Sequence, residues 1–316
     1  MPLTSEIALP ARDAIVATAH ESIARGSKSF AAASLLFDRA TRQRAWLLYA
    51  WCRRCDDLVD GQDGGHTMHA VADPHARVAE ARAKTEAALA GTVVGDPAFD
   101  ALRIVAAETA MPPRWARDLI DGFALDADGW RPAGEGDLMR YCYHVAGVVG
   151  CMMAVAMGVA ADDEAVLDRA CDLGMAFQLA NIARDLAEDV EGGRCYLPAD
   201  WLAEIGARAD DYMAPQHREG VAMLARRLAD RAAAFEASAR VGAAALSFRS
   251  AWAVLAAAEI YGAIGREVAA RGTAAWDARV STSGAAKLGF IARAGVAAAR
   301  RRDGAARDAG LWTRPR

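Results

Sequence analysis

Apolar residues recur at three- and four-residue intervals along nearly the whole chain, the spacing that lays one apolar stripe along an α-helix. Reading that period between breakers predicts helices over 11–25, 29–36, 40–63, 73–90, 97–110, 112–128, 134–160, 162–190, 211–241, 245–271 and 284–304. The breaks fall at Gly64-Gly65, Pro112-Pro113, Gly129 to Gly136, Gly192-Gly193 and Pro198, where glycine frees the backbone or proline removes a donor. No stretch alternates as a strand does, no fixed-period repeat is visible, and no Pro/Ser-rich linker divides the chain. The expectation is one all-α domain over 11–304, with a loose N-terminus over 1–10 and a loose basic tail over 305–316.

One stretch departs from the amphipathic pattern. Tyr141 to Ala161 carries no formal charge and is long enough to span a bilayer. It also holds His144, Gly147, Gly150 and Gly158, and much of its apolarity is alanine. The expectation is therefore a core helix covered by its neighbours' apolar faces, with an integral membrane protein as the competing reading.

Composition sharpens this picture. Of 316 residues 54% are hydrophobic, but 78 are alanine, about a quarter of the chain. Alanine favours helix and contributes little apolar area, so helices with small-residue interfaces are expected. The net charge of −4, with no basic-aromatic repeat, argues against nucleic acid as a partner. Charge is uneven, however: from Lys287 to Arg316 eight Lys/Arg face two Asp, giving about +6. Such a tail suits either a solvated helix end or peripheral contact with an anionic membrane. Six cysteines in a long helical chain do not resemble a disulfide framework, and Cys52-Arg-Arg-Cys55 lacks the second pair or histidines a zinc site needs. No signal-type apolar core lies between Met1 and Arg25, so a reduced, cytoplasmic protein is expected.

Candidate chemistry lies in two acidic segments. In Trp51-Cys-Arg-Arg-Cys-Asp-Asp-Leu-Val-Asp60, the four-residue spacing puts Asp56 and Asp60 on one helix face and turns Asp57 away. In Asn181-Ile-Ala-Arg-Asp-Leu-Ala-Glu-Asp189, Asp185 and Asp189 share a face that Asn181 and Gln178 extend. Each pair alone reads as a solvated helix face, and Arg53 to Asp57 as an ordinary i,i+4 ion pair. Their neighbours are strongly apolar, however: Trp46, Leu47, Leu48, Tyr49 and Trp51 before the first, and Met175, Phe177, Leu179 and Ile182 before the second. Four carboxylates gathered in such a core need a compensating cation, and oxygen ligands select Mg²⁺ or Mn²⁺. Because Mg²⁺ completes its shell with phosphate oxygens, two acidic pairs across an apolar cavity suggest a diphosphate carried on a hydrocarbon. A structural helical bundle stays open beside that reading. A ferritin-type di-metal site would use Glu-x-x-His pairs, which do not occur in this sequence.

These motifs, with Gln178-Leu-Ala-Asn-Ile-Ala-Arg-Asp185, resemble the squalene and phytoene synthases, which join isoprenoid diphosphates head to head. Gly26-Ser-Lys-Ser-Phe30, Tyr141-Cys-Tyr-His-Val-Ala-Gly-Val-Val-Gly150, Gly193-Arg-Cys-Tyr-Leu-Pro198 and Trp276-Asp-Ala-Arg279-Val resemble further family blocks, in order, over about residues 15–300. Within the family the likeness is strongest to the bacterial phytoene-forming branch. The resemblance implies an all-α isoprenoid-synthase bundle around a central apolar cavity. It implies that Asp56, Asp60, Asp185 and Asp189, with Asn181, hold Mg²⁺ or Mn²⁺, and that Gln178 supports the reacting centre. It implies diphosphate contacts from Ser27, Ser29, Arg53, Arg194, Tyr196 and Arg279. Tyr49, Tyr141 and Tyr261 would stand near the reacting carbons, and Phe30 would be cavity wall.

The reaction so implied condenses two geranylgeranyl diphosphates to phytoene through prephytoene diphosphate, without NADPH, and hands the product to a carotenoid desaturase. The location expected is cytoplasmic, with peripheral contact at the inner face of the membrane. Competing readings are a C30 synthase using farnesyl diphosphate, and a non-catalytic helical assembly factor, which would be expected to lose the aspartates retained here.

Overall fold

The computed structural model describes residues 12–60, 73–301 and 304–316, apart from the side chains of residues 28, 29 and 60. The expected loose N-terminus, the end of the predicted helix 40–63 and the break at Gly64-Gly65 lie outside the described residues. Among the described residues the structure is all-α, without a strand.

Helix α1 spans Arg12–Gly26, α2 Lys28–Ser34, α3 Arg39–Asp60, α4 Pro74–Leu89, α5 Pro97–Thr109 and α6 Pro113–Ala127. Then come α7 Glu135–Cys142, α8 Val148–Ala156, α9 Glu164–Glu191, α10 Ala199–Glu204, α11 Arg218–Gly242, α12 Phe248–Arg271 and α13 Gly284–Arg300. Local chemistry sets many boundaries. Asp73 and Asp96 each accept from a backbone N–H in the first turn of α4 and α5, with Pro74 and Pro97 at the helix start. Several details differ from the periodic reading. Helix α10 was not foreseen, because six residues carry too little period to be seen. The helix expected from 211 begins at Arg218, because Pro215 opens a short 3₁₀ turn instead.

The predicted helix 134–160 ends at Ala156 and is interrupted by a π turn over Tyr143–Gly147. Tyr143 donates to Asp118 at 2.6 Å, and His144 Nδ1 lies 2.8 Å from the Asp118 carbonyl oxygen, so two successive side chains are drawn to one point of α6. Although Glu135–Ala156 is long and apolar enough to cross a membrane, most of its apolar window is buried here, against α6 and α9. Glycine makes the contact with α9 close. A Cβ at Gly150 or at Gly174 would lie 2.2 Å from the carbonyl oxygen of Ala170 or Ala146, respectively.

Helix α9 is the central element, packed on α8, α11 and α12. All six cysteines are free. Burial pushes the Cys52 thiol up to about 12, so it remains a protonated small apolar group.

The tail over 305–316 is a correction to the sequence reading: it is docked. Arg307 forks onto Asp172 at 2.7 and 2.8 Å. Arg314, its side chain fully buried, pairs with Glu164 and, at 2.9 Å, with Asp168. Arg316 reaches the same two acids at 2.8 and 3.0 Å. A basic stretch reads as solvated until its acidic partners are known. These lie at i, i+4 and i+8 on α9, more than 130 residues away in sequence. Three arginines that could have met an anionic membrane are thus already paired.

Candidate active site

Helices α3 and α9 face one another across a chamber of about 390 Å³. From α3 come Tyr49, Cys52, Arg53 and Asp56, at i, i+3, i+4 and i+7; from α9 come Gln178, Asn181, Ile182, Asp185 and Asp189. The segment after α9 turns back through Gly193 (φ 75°) and a hydrogen bond from Arg194 N to Asp189 O at 2.7 Å, bringing Arg194 and Tyr196 to the same wall. Tyr141 joins it from α7.

This chamber adjoins an apolar cavity of about 340 Å³, and Cys52, Val145, Val149, Gln178 and Asn181 line both. Phe30 and Tyr261 line the apolar side, Tyr261 stacked on Phe177 at 4.3 Å. Ser27 caps α2, accepting from Phe30 N at 3.3 Å. At neighbouring Gly26 a Cβ would lie 2.3 Å from Tyr49 Oη, so a larger residue there would displace the Tyr49 hydroxyl. The Asp60 and Ser29 side chains lie outside the described residues. Asp57, as its spacing predicts, is absent from the chamber wall.

Arginines bracket the aspartates. Arg53 Nη1 contacts Asp56 Oδ2 at 2.5 Å, and Arg184 Nε donates to Asp185 Oδ1 at 2.7 Å. Arg279 approaches the same Asp185 oxygen at 3.0 Å and also pairs with Glu188. Asp189 is less well compensated. Burial, then the charge of Asp185, raises its carboxyl to about 7 against the pull of Arg194. Asn181 Oδ1 is buried without a hydrogen bond, and so is Tyr49 Oη.

Two of these features suit a hard cation: an acceptor lacking a donor, and a carboxylate short of positive charge. Among the described residues no three His, Cys, Asp or Glu side chains group closely enough to hold an ion alone. A cation would therefore draw further oxygens from elsewhere.

Sequence reasoning missed Asp126 of α6. It lines the chamber and accepts from Tyr141 Oη at 3.0 Å and Tyr196 Oη at 2.9 Å, with the two rings stacked at 4.8 Å. Burial and this carboxylate together push both phenol pKa values up, so both hydroxyls stay protonated as donors. Asp126 has no acidic residue three or four positions away; its one sequence signal is its place in the apolar run Phe123-Ala-Leu-Asp126. Arg184 was likewise not singled out.

Known proteins resemble this chain in sequence and in fold. The squalene/phytoene synthase family profile matches residues 23–286. The chain is 46% identical over 299 residues to the 15-cis-phytoene synthase of Pantoea ananas, covering 93% of this chain and 96% of that one. It is 48% identical over 304 residues to the 15-cis-phytoene synthase of Paracoccus sp. (strain N81106 / MBIC 01143), covering 95% and 98%. Among solved structures, a dehydrosqualene synthase in complex with ligand matches with a TM-score of 0.79 at 26% identity, over 90% of this chain and 96% of that one. With the facing aspartate helices and the adjoining apolar cavity already in view, these matches show that the chain belongs to the squalene/phytoene synthase family.

Proposed function

We propose that this chain is a phytoene synthase, joining two molecules of geranylgeranyl diphosphate head to head through prephytoene diphosphate. The observation that carries the reading is the junction at Gln178 and Asn181, where a carboxylate- and arginine-lined chamber opens into an apolar one of similar size. A diphosphate head on a hydrocarbon tail matches that division. Identity of 46–48% to proteins named phytoene synthase supports C20 over C15 substrates.

Asp56, Asp185, Asp189 and Asn181, with Asp60 one turn beyond Asp56, would hold Mg²⁺ or Mn²⁺, which when bound neutralises charge on a leaving diphosphate. Arg53 contacts Asp56 and Arg279 contacts Asp185 and Glu188, so an arriving diphosphate offers each guanidinium a further anionic partner. Arg194, Tyr196, Ser27 and Ser29 would supply further contacts to the phosphate oxygens. As the allylic C–O bond breaks, its electron pair leaves with diphosphate, and the double bond of the second substrate supplies the pair for the new C–C bond. Proton loss closes the cyclopropane. A second ionisation, ring opening and proton loss complete phytoene, so the electron balance requires no NADPH. Tyr49, Tyr141 and Tyr261 would present aromatic faces toward the developing cations, and the apolar wall, Phe30 included, would exclude the water that quenches them.

A C40 hydrocarbon partitions into lipid, so the reading places the enzyme in the cytoplasm with reversible contact at the inner face of the membrane. A carotenoid desaturase would take up the product there.

The test is incubation of purified protein with geranylgeranyl diphosphate and Mg²⁺, without NADPH, and extraction of the hydrocarbon. Phytoene is expected. A C30 product from farnesyl diphosphate with none from the C20 substrate would overturn the phytoene reading and keep the family. No product from either would favour a non-catalytic scaffold.

A further inference from the structure

The apolar cavity has a far end as well as a junction. There Val166, Arg169 and Ala170 of α9 meet Ala239, Gly242 and Ala243 at the end of α11. At 1.5 Å rise per residue, Arg169 lies about 24 Å down α9 from Asp185. An arginine in an otherwise apolar wall is tolerated only if its charged head is drawn out of the cavity and hydrogen-bonded.

Here it is. Arg169 Nη1 donates to the Ser238 carbonyl oxygen at 3.0 Å and to Ser238 Oγ at 3.3 Å; Nη2 donates to the Ala305 carbonyl oxygen at 2.6 Å. The head is thereby turned toward α11 and the C-terminal segment, and the methylene stem is left to the cavity. Gly242 permits this course: a Cβ there would lie 2.7 Å from Arg169 Cβ. The Ala305 carbonyl is itself held. Two residues on, Arg307 forks onto buried Asp172, which also accepts from Ser238 Oγ at 2.6 Å. Beyond it, Trp312 packs on Tyr143 at 5.8 Å, and Arg314 is locked to α9.

We propose that Arg169 is the chain-length-limiting residue at the far end of the cavity, and that the C-terminal segment 304–316 is the clasp that holds it in place. The proposal rests on the reading that the cavity takes prenyl chains. A brace for α9 alone would need the tail's arginines but not an arginine in the cavity wall whose head the tail captures.

The experiment measures kcat/KM for the C20 diphosphate and for its C25 homologue, in the full chain, in Arg169→Ala, in Arg169→Met and in a chain ending at Gly304. Arg169→Ala removes the stem and lengthens the cavity, so the C25/C20 ratio rises about tenfold or more. Arg169→Met keeps an unbranched stem and holds the ratio within about threefold of the parent. The shortened chain moves the ratio in the same direction as Arg169→Ala. Where turnover is lost, binding of the unreactive C20 and C25 thiolodiphosphates gives the same ratio. If the shortened chain fails to fold, Arg307→Met, which releases the clasp at one point, takes its place. An unchanged ratio in folded Arg169→Ala overturns the proposal, and so does a clasp variant that loses thermal stability with its ratio intact. The parent's own preference tests the phytoene reading separately: if the parent prefers C15, the C20/C15 ratio measures Arg169 equally well.

Discussion

The two halves of α9 carry acidic residues at the same helical spacing and put them to opposite use. In the first half Glu164, Asp168 and Asp172 follow at four-residue intervals, and in the second Asp185 and Asp189 do. The first set is closed off by Arg307, Arg314 and Arg316 from the chain's own C-terminus, with Asp172 only 1% exposed. The second set faces a chamber, shares Arg184 and Arg279 at one member and leaves the other with its carboxyl raised to about 7. The first set is thus spent on fastening the C-terminal segment, while the second keeps one carboxylate short of positive charge at the chamber.

Substitutions can break that contrast. The largest effect is expected in the second half: Asp185→Ala lowers turnover by about a thousandfold or more while far-ultraviolet circular dichroism stays unchanged. Near-parental turnover would show that the two halves do not differ in function. Next comes the pH dependence of stability in the presence of a chelator. The folded-state pKa of Asp189 is raised from an ordinary 3.8 to about 7, so the folded protein binds more protons than the unfolded chain between those values. Stability therefore falls as pH rises from about 4 to 7, by about 4 kcal/mol at most, and levels off above. Asp189→Asn should flatten that slope in denaturant titrations at several pH values, and an unaltered slope would remove Asp189 as its source.

In the first half the expected loss is of stability. Asp172→Ala strands the Arg307 guanidinium and costs about 3 kcal/mol, or roughly 5 °C in Tm, with diphosphate binding retained. A thermal scan with a binding titration checks both. The smallest effect belongs where the halves meet. Gly174→Ala forces a methyl against the Ala146 carbonyl oxygen and costs about 2 kcal/mol by chemical denaturation. A neutral result would mean that α8 shifts away freely.

The aspartate and asparagine face of α9 and Asp56 of α3 were legible from helical period, whereas Tyr49 and Arg53 were expected only from the family resemblance; the structure brings those described side chains into one chamber. Asp126 was not legible: it accepts from two tyrosine hydroxyls brought by other segments, and nothing local marks it. The π turn was equally hidden, since it follows from Tyr143 and His144 both reaching Asp118, a contact between helices. The tail misled for the opposite reason. Its composition spoke of solvent, and only distant acids on α9 overrule that.

Short-range periodicity and breakers determined from sequence alone that this protein is all-α, where its long helices run, and that two faces carry paired aspartates amid apolar neighbours. Those properties depend on residues three or four apart, so the chain states them directly. Tertiary structure decided which acids remain undersatisfied, that Gly150 and Gly174 let α8 and α9 touch, and that the C-terminus closes over α9. Each of these depends on which distant groups come within a few ångströms, and charge compensation acts only at that range.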